Sequence, residues 1–314
     1  GHDIEWSFQT VPAPAVVKTQ PASDADQARS AEGIHILFAA PMDEDTLDED
    51  LLVVRPALPD DATFFYNSYD NSWNINAVLD PSTRYTVTLQ PGAADPYGNT
   101  IDQPYTWTFT TAPLDPVVLF NTQGQYGLYD ATRTTELFVI HRNVSRIDFE
   151  LASIPLEVFG RLTGPDGYEA LNLYSPPDED FVRTWSVDAQ GELNERVYVR
   201  LPVVSEQGGS LEPGIYLLSA KAPETTRLRH VMIVVTDNLT LKTSFDESLA
   251  WLTDLPGGQP VEGVEVRVYD DGFDVLGSAE TDADGVAEVS GTDVANLWDL
   301  QYAVAEGDGH FALA

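Results

Sequence analysis

The run Gly263-Val264-Glu265-Val266-Arg267-Val268-Tyr269 constrains the fold of this chain more than any other stretch. Val264, Val266 and Val268 fall on one side and Glu265, Arg267 and Tyr269 on the other. That period of two is what a half-buried β-strand needs. Gly257-Gly258-Gln259-Pro260 ahead of it and Asp270-Asp271-Gly272 behind it supply positive φ and a fixed proline φ, the chemistry of tight turns. A further turn, Asp282-Ala283-Asp284-Gly285, separates residues 276–281 from 286–289. Short strands punctuated in this way predict a β-sandwich. No helical periodicity is sustained over three turns anywhere in the chain. Its 22 glycines and 21 prolines are spread along all 314 residues, so the expected class is all-β.

Composition narrows the function. Apolar residues make up 43% and aromatics 10%, enough for two or three globular domains with cores of their own. Against 51 acidic residues stand 16 basic ones, a net charge of −35. Such a surface repels phosphate backbones and anionic lipid, which argues against nucleic-acid partners and membrane docking. Cysteine is absent. Disulfides, thiolate zinc sites and thiol nucleophiles are thereby excluded, and stability must come from core burial. No apolar run approaches the ~20 residues that span a bilayer. Gly1-His2 reads as a cloning remnant, and the chain as an excised amino-terminal fragment of something longer.

Taken in order, residues 1–15 read as a tail carrying Trp6 and Phe8. A first domain is expected over 16–112, with strands at 34–38, 51–54, 62–66, 84–89 and 105–110. In the last of these Tyr105, Trp107 and Phe109 share one face and three threonines the other. A proline-bounded linker, Ala112-Pro113-Leu114-Asp115-Pro116, leads into a second domain over 117–236. Ten of the sixteen basic residues fall there, mostly alternating with apolar positions. Residues 162–177 read as a polar loop with two glycines and two consecutive prolines. A third domain is expected over 237–314, with 291–299 as a loop or one helical turn anchored by Trp298.

Three groups of motifs resemble known modules. Ile34-x-Ile-x-Phe38, Pro41-Met42-Asp43, Thr83-x-Tyr-x-Val87, Asp95-x-x-Gly-Asn99 and Trp107-x-Phe-x-Thr111 resemble a bacterial immunoglobulin-like domain. Arg142-Asn143-Val144, and Pro213-Gly214-x-Tyr-Leu217 followed by 230–236, resemble a first macroglobulin domain. Asp254, Gly258-x-Pro-Val261, the Gly263–Tyr269 run and Thr281-Asp-x-x-Gly285 resemble a second. The ordered series resembles the amino-terminal part of a bacterial α2-macroglobulin. The resemblance implies three tandem β-sandwiches forming a structural arm of a secreted or envelope-attached protease trap. Host or competitor proteases would then be partners of the full-length protein, and further macroglobulin domains partners within the chain. Many members of that family use a thioester, which requires a cysteine, so none is expected in these residues and the chain by itself is not expected to inhibit. The alternative is a modular surface adhesin or stalk that binds glycan or protein.

Candidate chemistry is sparse. His2, His35, His141, His230 and His310 show no metal-ligand spacing, and neither H-E-x-x-H nor G-x-S-x-G occurs. No enzyme activity and no cofactor are expected. Asp270, Asp271 and Asp274 in one turn and Asp282 and Asp284 in another offer oxygen ligands for calcium, as do Asp43-Glu44-Asp45 and Asp48-Glu49-Asp50. None matches a twelve-residue EF-hand loop, and acids in turns also serve backbone amides. Lys242 with Asn296 is a conceivable isopeptide pair, set against a plain solvated lysine. Asn143-Val144-Ser145 and Asn238-Leu239-Thr240 fit the glycosylation sequon.

Overall fold

The computed structural model describes residue 6 and residues 10–164, 167–292 and 301–314. By packing, the chain divides into two units, Gly1–Asp115 and Pro116–Ala314. Both are built from mainly antiparallel β-sheets with apolar faces turned inward, tandem immunoglobulin-like and macroglobulin-like sandwiches.

In the first unit, β1 (Val16–Gln20), β2 (Ile34–Phe38), β5 (Ser72–Asn76) and β4 (Thr63–Asn67) lie side by side in that order. Facing them are β3 (Leu52–Arg55), β6 (Arg84–Leu89) and β7 (Tyr105–Thr110). Alternation decides what enters the core. Ile34, Ile36 and Phe38 meet Trp73 and Ile75 from one sheet, and Tyr85, Val87, Trp107 and Phe109 from the other. Tyr85 stacks on Phe109 with ring centroids 5.5 Å apart. Tyr105, on the same side of β7 as Trp107 and Phe109, lies at the strand end and stays partly exposed. The central strand β5 escapes the sequence reading because its alternate residues, Ser72, Asn74 and Asn76, are polar turn-formers. Asn74 is nonetheless buried, donating to the Ser72 carbonyl at 3.1 Å and meeting His35 Nδ1 at its own carbonyl oxygen.

Among the described residues the second unit contains four sheets. The three strands β13 (Val197–Val203), β10 (Thr135–Arg142) and β8 (Val117–Phe120) face a five-stranded sheet. That sheet runs β12 (Phe181–Asp188), β11 (Arg146–Ser153), β14 (Gly214–Lys221), β15 (Leu228–Val235) and β9 (Tyr126–Asp130), the last pairing parallel. Then β16 (Asp237–Thr243), β17 (Glu247–Asp254) and β20 (Val286–Ser290) face β19 (Val275–Glu280), β18 (Glu265–Tyr269), β21 (Tyr302–Gly307) and β22 (His310–Leu313). Strand β12 is a further element absent from the sequence reading. Its Trp185 stacks on Phe149 at 5.2 Å and carries the Arg183 guanidinium over its ring at 4.6 Å.

Two sequence expectations are corrected here. Residues 162–177 are not all loop, and helix also precedes them. The helices are α1 (Leu156–Thr163) and, inside the supposed polar loop, α2 (Gly167–Leu173). Each spans about two turns, too short for periodicity over three turns to reveal, and each is stabilised by tertiary burial rather than propensity. Phe159, Leu162 and Leu171 bury against the outer faces of β14 and β15. Likewise β18 is half-buried as expected over residues 265–268 but not at its end. Val264, Val266 and Val268 enter one core, as expected, while Tyr269 is 5% exposed in a second core on the opposite face.

That second core holds the unit together. Phe273 stacks on Tyr269 at 4.5 Å, meets Phe159 edge-on at 5.9 Å, and lies 5.5 Å from Tyr302. It approaches α1 so closely because residue 160 is glycine: a Cβ there would sit 2.2 Å from Phe273 Cγ. A Gly160→Leu replacement should therefore cost about 1–3 kcal/mol of overpacking. Urea unfolding monitored by tryptophan fluorescence would check this, and an unchanged midpoint would rule the close approach out.

His230 lies in the same sheet, 1% exposed, with Nε2 2.6 Å from the Tyr129 hydroxyl. Burial pushes its pKa down, only partly offset by the Gly124 carbonyl. Burial also pushes the Tyr129 hydroxyl up to about 12. Below the ordinary histidine value of about 6.5 the unfolded chain binds a proton that folded His230 resists. Its contribution is thus complete above that value and is lost as pH falls. The unfolding free energy of the second unit should therefore fall between pH 7.5 and pH 5. His230→Phe should weaken that dependence in parallel urea titrations, with buried His141 keeping a share of it, whatever its effect on absolute stability.

Candidate functional site

The acidic turns fold around their own backbone. Asp270 Oδ1 accepts from Asp274 N at 2.8 Å, across a turn closed by Asp270 N to the Asp274 carbonyl at 3.0 Å. Asp282 Oδ1 accepts from Asp284 N and Val286 N, both at 2.9 Å. Asp43 and Asp48 do the same for Asp45 N and Asp50 N, capping two short 3-10 turns. Asp95 has the most complete set: Oδ1 accepts from Tyr97 N and Asn99 N, and Oδ2 accepts from Asn99 Nδ2 at 2.7 Å. The Asn99 side chain, followed by these backbone amides, holds its carboxyl below the usual range. Asp271 is exposed at the tip of its turn. Among the described residues no group of three or more His, Cys, Asp or Glu is arranged to hold a metal ion.

The histidines are dispersed. His35 bridges Asn74 and the Glu32 carbonyl, the latter at 2.9 Å. His141 is 2% exposed in β10, and burial pushes its pKa down. His310 Nδ1 lies 2.9 Å from the buried carboxylate of Asp237, joining β22 to β16. His2 lies outside the described residues. Lys242 is exposed on β16; its suggested partner Asn296, and Trp298 with it, lie outside the described residues. Of the two sequons, Asn143 adopts φ 53° and accepts from Asn194 N at 2.7 Å, and Asn238 is exposed on β16.

What residue-by-residue reading misses is a pair of clefts in the second unit. One, of about 780 Å³, lies beside the aromatic cluster and is lined by Glu157 and Arg161 of α1 with Arg267, Asp274 and Glu306. Arg267 is paired with Glu265 there at 2.5 Å. The other, of about 670 Å³, opens between the end of β8, α2 and the start of β15. The signal for both lay in α1 and α2, which the sequence did not disclose.

Comparison with known proteins falls into line with this architecture. Residues 10–111 match the family described as bacterial Ig-like domain, and residues 235–314 the family described as bacterial alpha-2-macroglobulin MG3 domain. No curated protein matches the chain. Among solved structures, alpha-2-macroglobulin from Escherichia coli spanning domains MG0-NIE-MG1 superposes with TM-score 0.53 at 18% identity, covering 96% of each chain. Salmonella alpha-2-macroglobulin reacted with methylamine gives TM-score 0.69 at 18% identity, covering 96% of this chain and 18% of that one. The present chain thus spans under a fifth of the length of the Salmonella protein. At such identity these likenesses speak for the fold. The chain carries a bacterial Ig-like domain followed by a bacterial alpha-2-macroglobulin MG3 domain, on a fold shared with bacterial alpha-2-macroglobulins.

Proposed function

We propose that this chain is a structural arm of a protease-trapping macroglobulin. The observation that carries the reading is the order of its two family matches, the Ig-like domain ahead of the macroglobulin domain. In this reading 16–112 is the Ig-like sandwich, and 117–236 and 237–314 are two macroglobulin-type sandwiches sharing the aromatic core around Phe273. The arm works outside the cytoplasm, positions the trapping parts of a longer protein, and performs no catalysis. With no cysteine it holds no thioester of its own. Its acidic side chains serve turns, and the partners it meets directly are further macroglobulin domains.

The test is direct. The isolated chain should leave trypsin fully able to digest a labelled protein substrate, even at tenfold molar excess over the enzyme. Protection of the large substrate by more than half, with cleavage of a small peptide substrate intact, would show trapping by the chain itself and sink the scaffold reading.

A further inference from the structure

The cleft of about 670 Å³ at the end of β8 departs from the electrostatics of the whole molecule. The chain carries −35 charges, yet among the described residues lining this cleft none is Asp or Glu, and two are arginines. Arg227 is partly neutralised, its Nη1 2.7 Å from Glu150 Oε2 outside the cleft. Arg229 forms no such ion pair among the described residues. Its guanidinium donates to the Leu171 carbonyl at the end of α2. Burial first, then repulsion from Arg227, makes the charged form of Arg229 harder to hold, and the Glu150 carboxylate offsets this in part. The two guanidiniums thus share a single carboxylate, Glu150, between them, which leaves one positive charge for a second anion to offset.

The remaining walls say which anion. Phe120 gives an apolar surface, and Tyr168, 71% exposed on α2, a second ring at the mouth. Gln125 and Asn172 bring side-chain amides, which both donate and accept, as a peptide backbone requires. Moreover β8 is the outer strand of its sheet, paired among the described residues only with β10, so its other edge carries no strand there. Free phosphate would use the arginines and leave the apolar wall and the amides idle.

We propose that this cleft binds an extended acidic peptide segment of a partner protein, its carboxylate on Arg227 and Arg229 and a neighbouring apolar side chain between Phe120 and Tyr168. The inference stands apart from the scaffold reading, because it draws on the cleft alone.

The experiment uses the whole chain and a fluorescein-labelled peptide of alternating Glu with Phe and Leu, read by fluorescence anisotropy. A peptide with Gln in place of Glu is the control. Binding of the acidic peptide should weaken with added salt. Arg229→Met, which keeps the apolar stem, should weaken it about tenfold, as loss of one charge-assisted contact does. Tyr168→Ala, at an exposed position that leaves folding intact, should weaken it severalfold. If Arg229→Met fails to fold, Tyr168→Ala and amide shifts at Gln125 and Asn172 in NMR titrations carry the test. Equal affinity for the two peptides, no binding at millimolar concentration, indifference to both substitutions, or displacement by inorganic phosphate at matched concentration would each overturn the proposal.

Discussion

Phe273 is the contact on which the second unit depends. It sits in a turn between β18 and β19 with φ 67°, a conformation that a bulky side chain adopts only when its surroundings compensate. Here three rings do so: Tyr269 below, Tyr302 beside and Phe159 across, with Gly160 giving the space. The consequence is architectural. Strands β14 and β15 bury their inner faces against β10 and β13 and their outer faces against the helices and β22. At its end strand β18 meets both cores, Val268 in one and Tyr269 in the other. Without the aromatic contact α1 and the turn after β18 would lose their apolar partner, in a core where each fully buried aliphatic side chain is worth about 1.5–3 kcal/mol.

The charge of the molecule is organised by the same logic. Acids concentrate where the backbone turns, because a carboxylate at such a place accepts amide hydrogens left over when strands end. Asp95, Asp270 and Asp282 each do so. A high acid content is therefore compatible with a fold whose cores contain almost no charge. Ion pairs contribute little by comparison. Those involving Arg29, Arg133 and Arg146 are solvent-exposed, where such pairs are worth less than about 1 kcal/mol. Against that background an arginine pair in a cleft free of carboxylates stands out as a local exception.

Legibility in the sequence followed periodicity. Strands with one wet face announced themselves: β2 through Ile34, Ile36 and Phe38, β7 through Trp107 and Phe109, β18 through its valines. Strand β5 did not, since Asn74 is a turn-former by preference and is buried only because His35 and Ser72 satisfy its amide. The helices did not, since two turns are too few to show a period. The unbroken run Val231-Met232-Ile233-Val234-Val235 did hold a signal that alternation alone overlooks: a strand apolar on both sides must have a layer on each. Read in that way, it would have pointed to the second core, and from there to Tyr269.

By itself, then, the sequence determined the class, the turns and the ordered modules, because these follow from side-chain alternation, glycine and proline stereochemistry, and short motifs local to a few residues. It also determined the absence of thiol chemistry, which is a matter of composition. Only the tertiary structure decided that Tyr269 is buried in a second core, that α1 and α2 exist, and that Arg227 and Arg229 share a cleft with Tyr168 and Asn172. Each of these joins residues about sixty or more positions apart, or depends on the partner a face happens to meet. Period and propensity record which face is apolar and leave unsaid what will cover it.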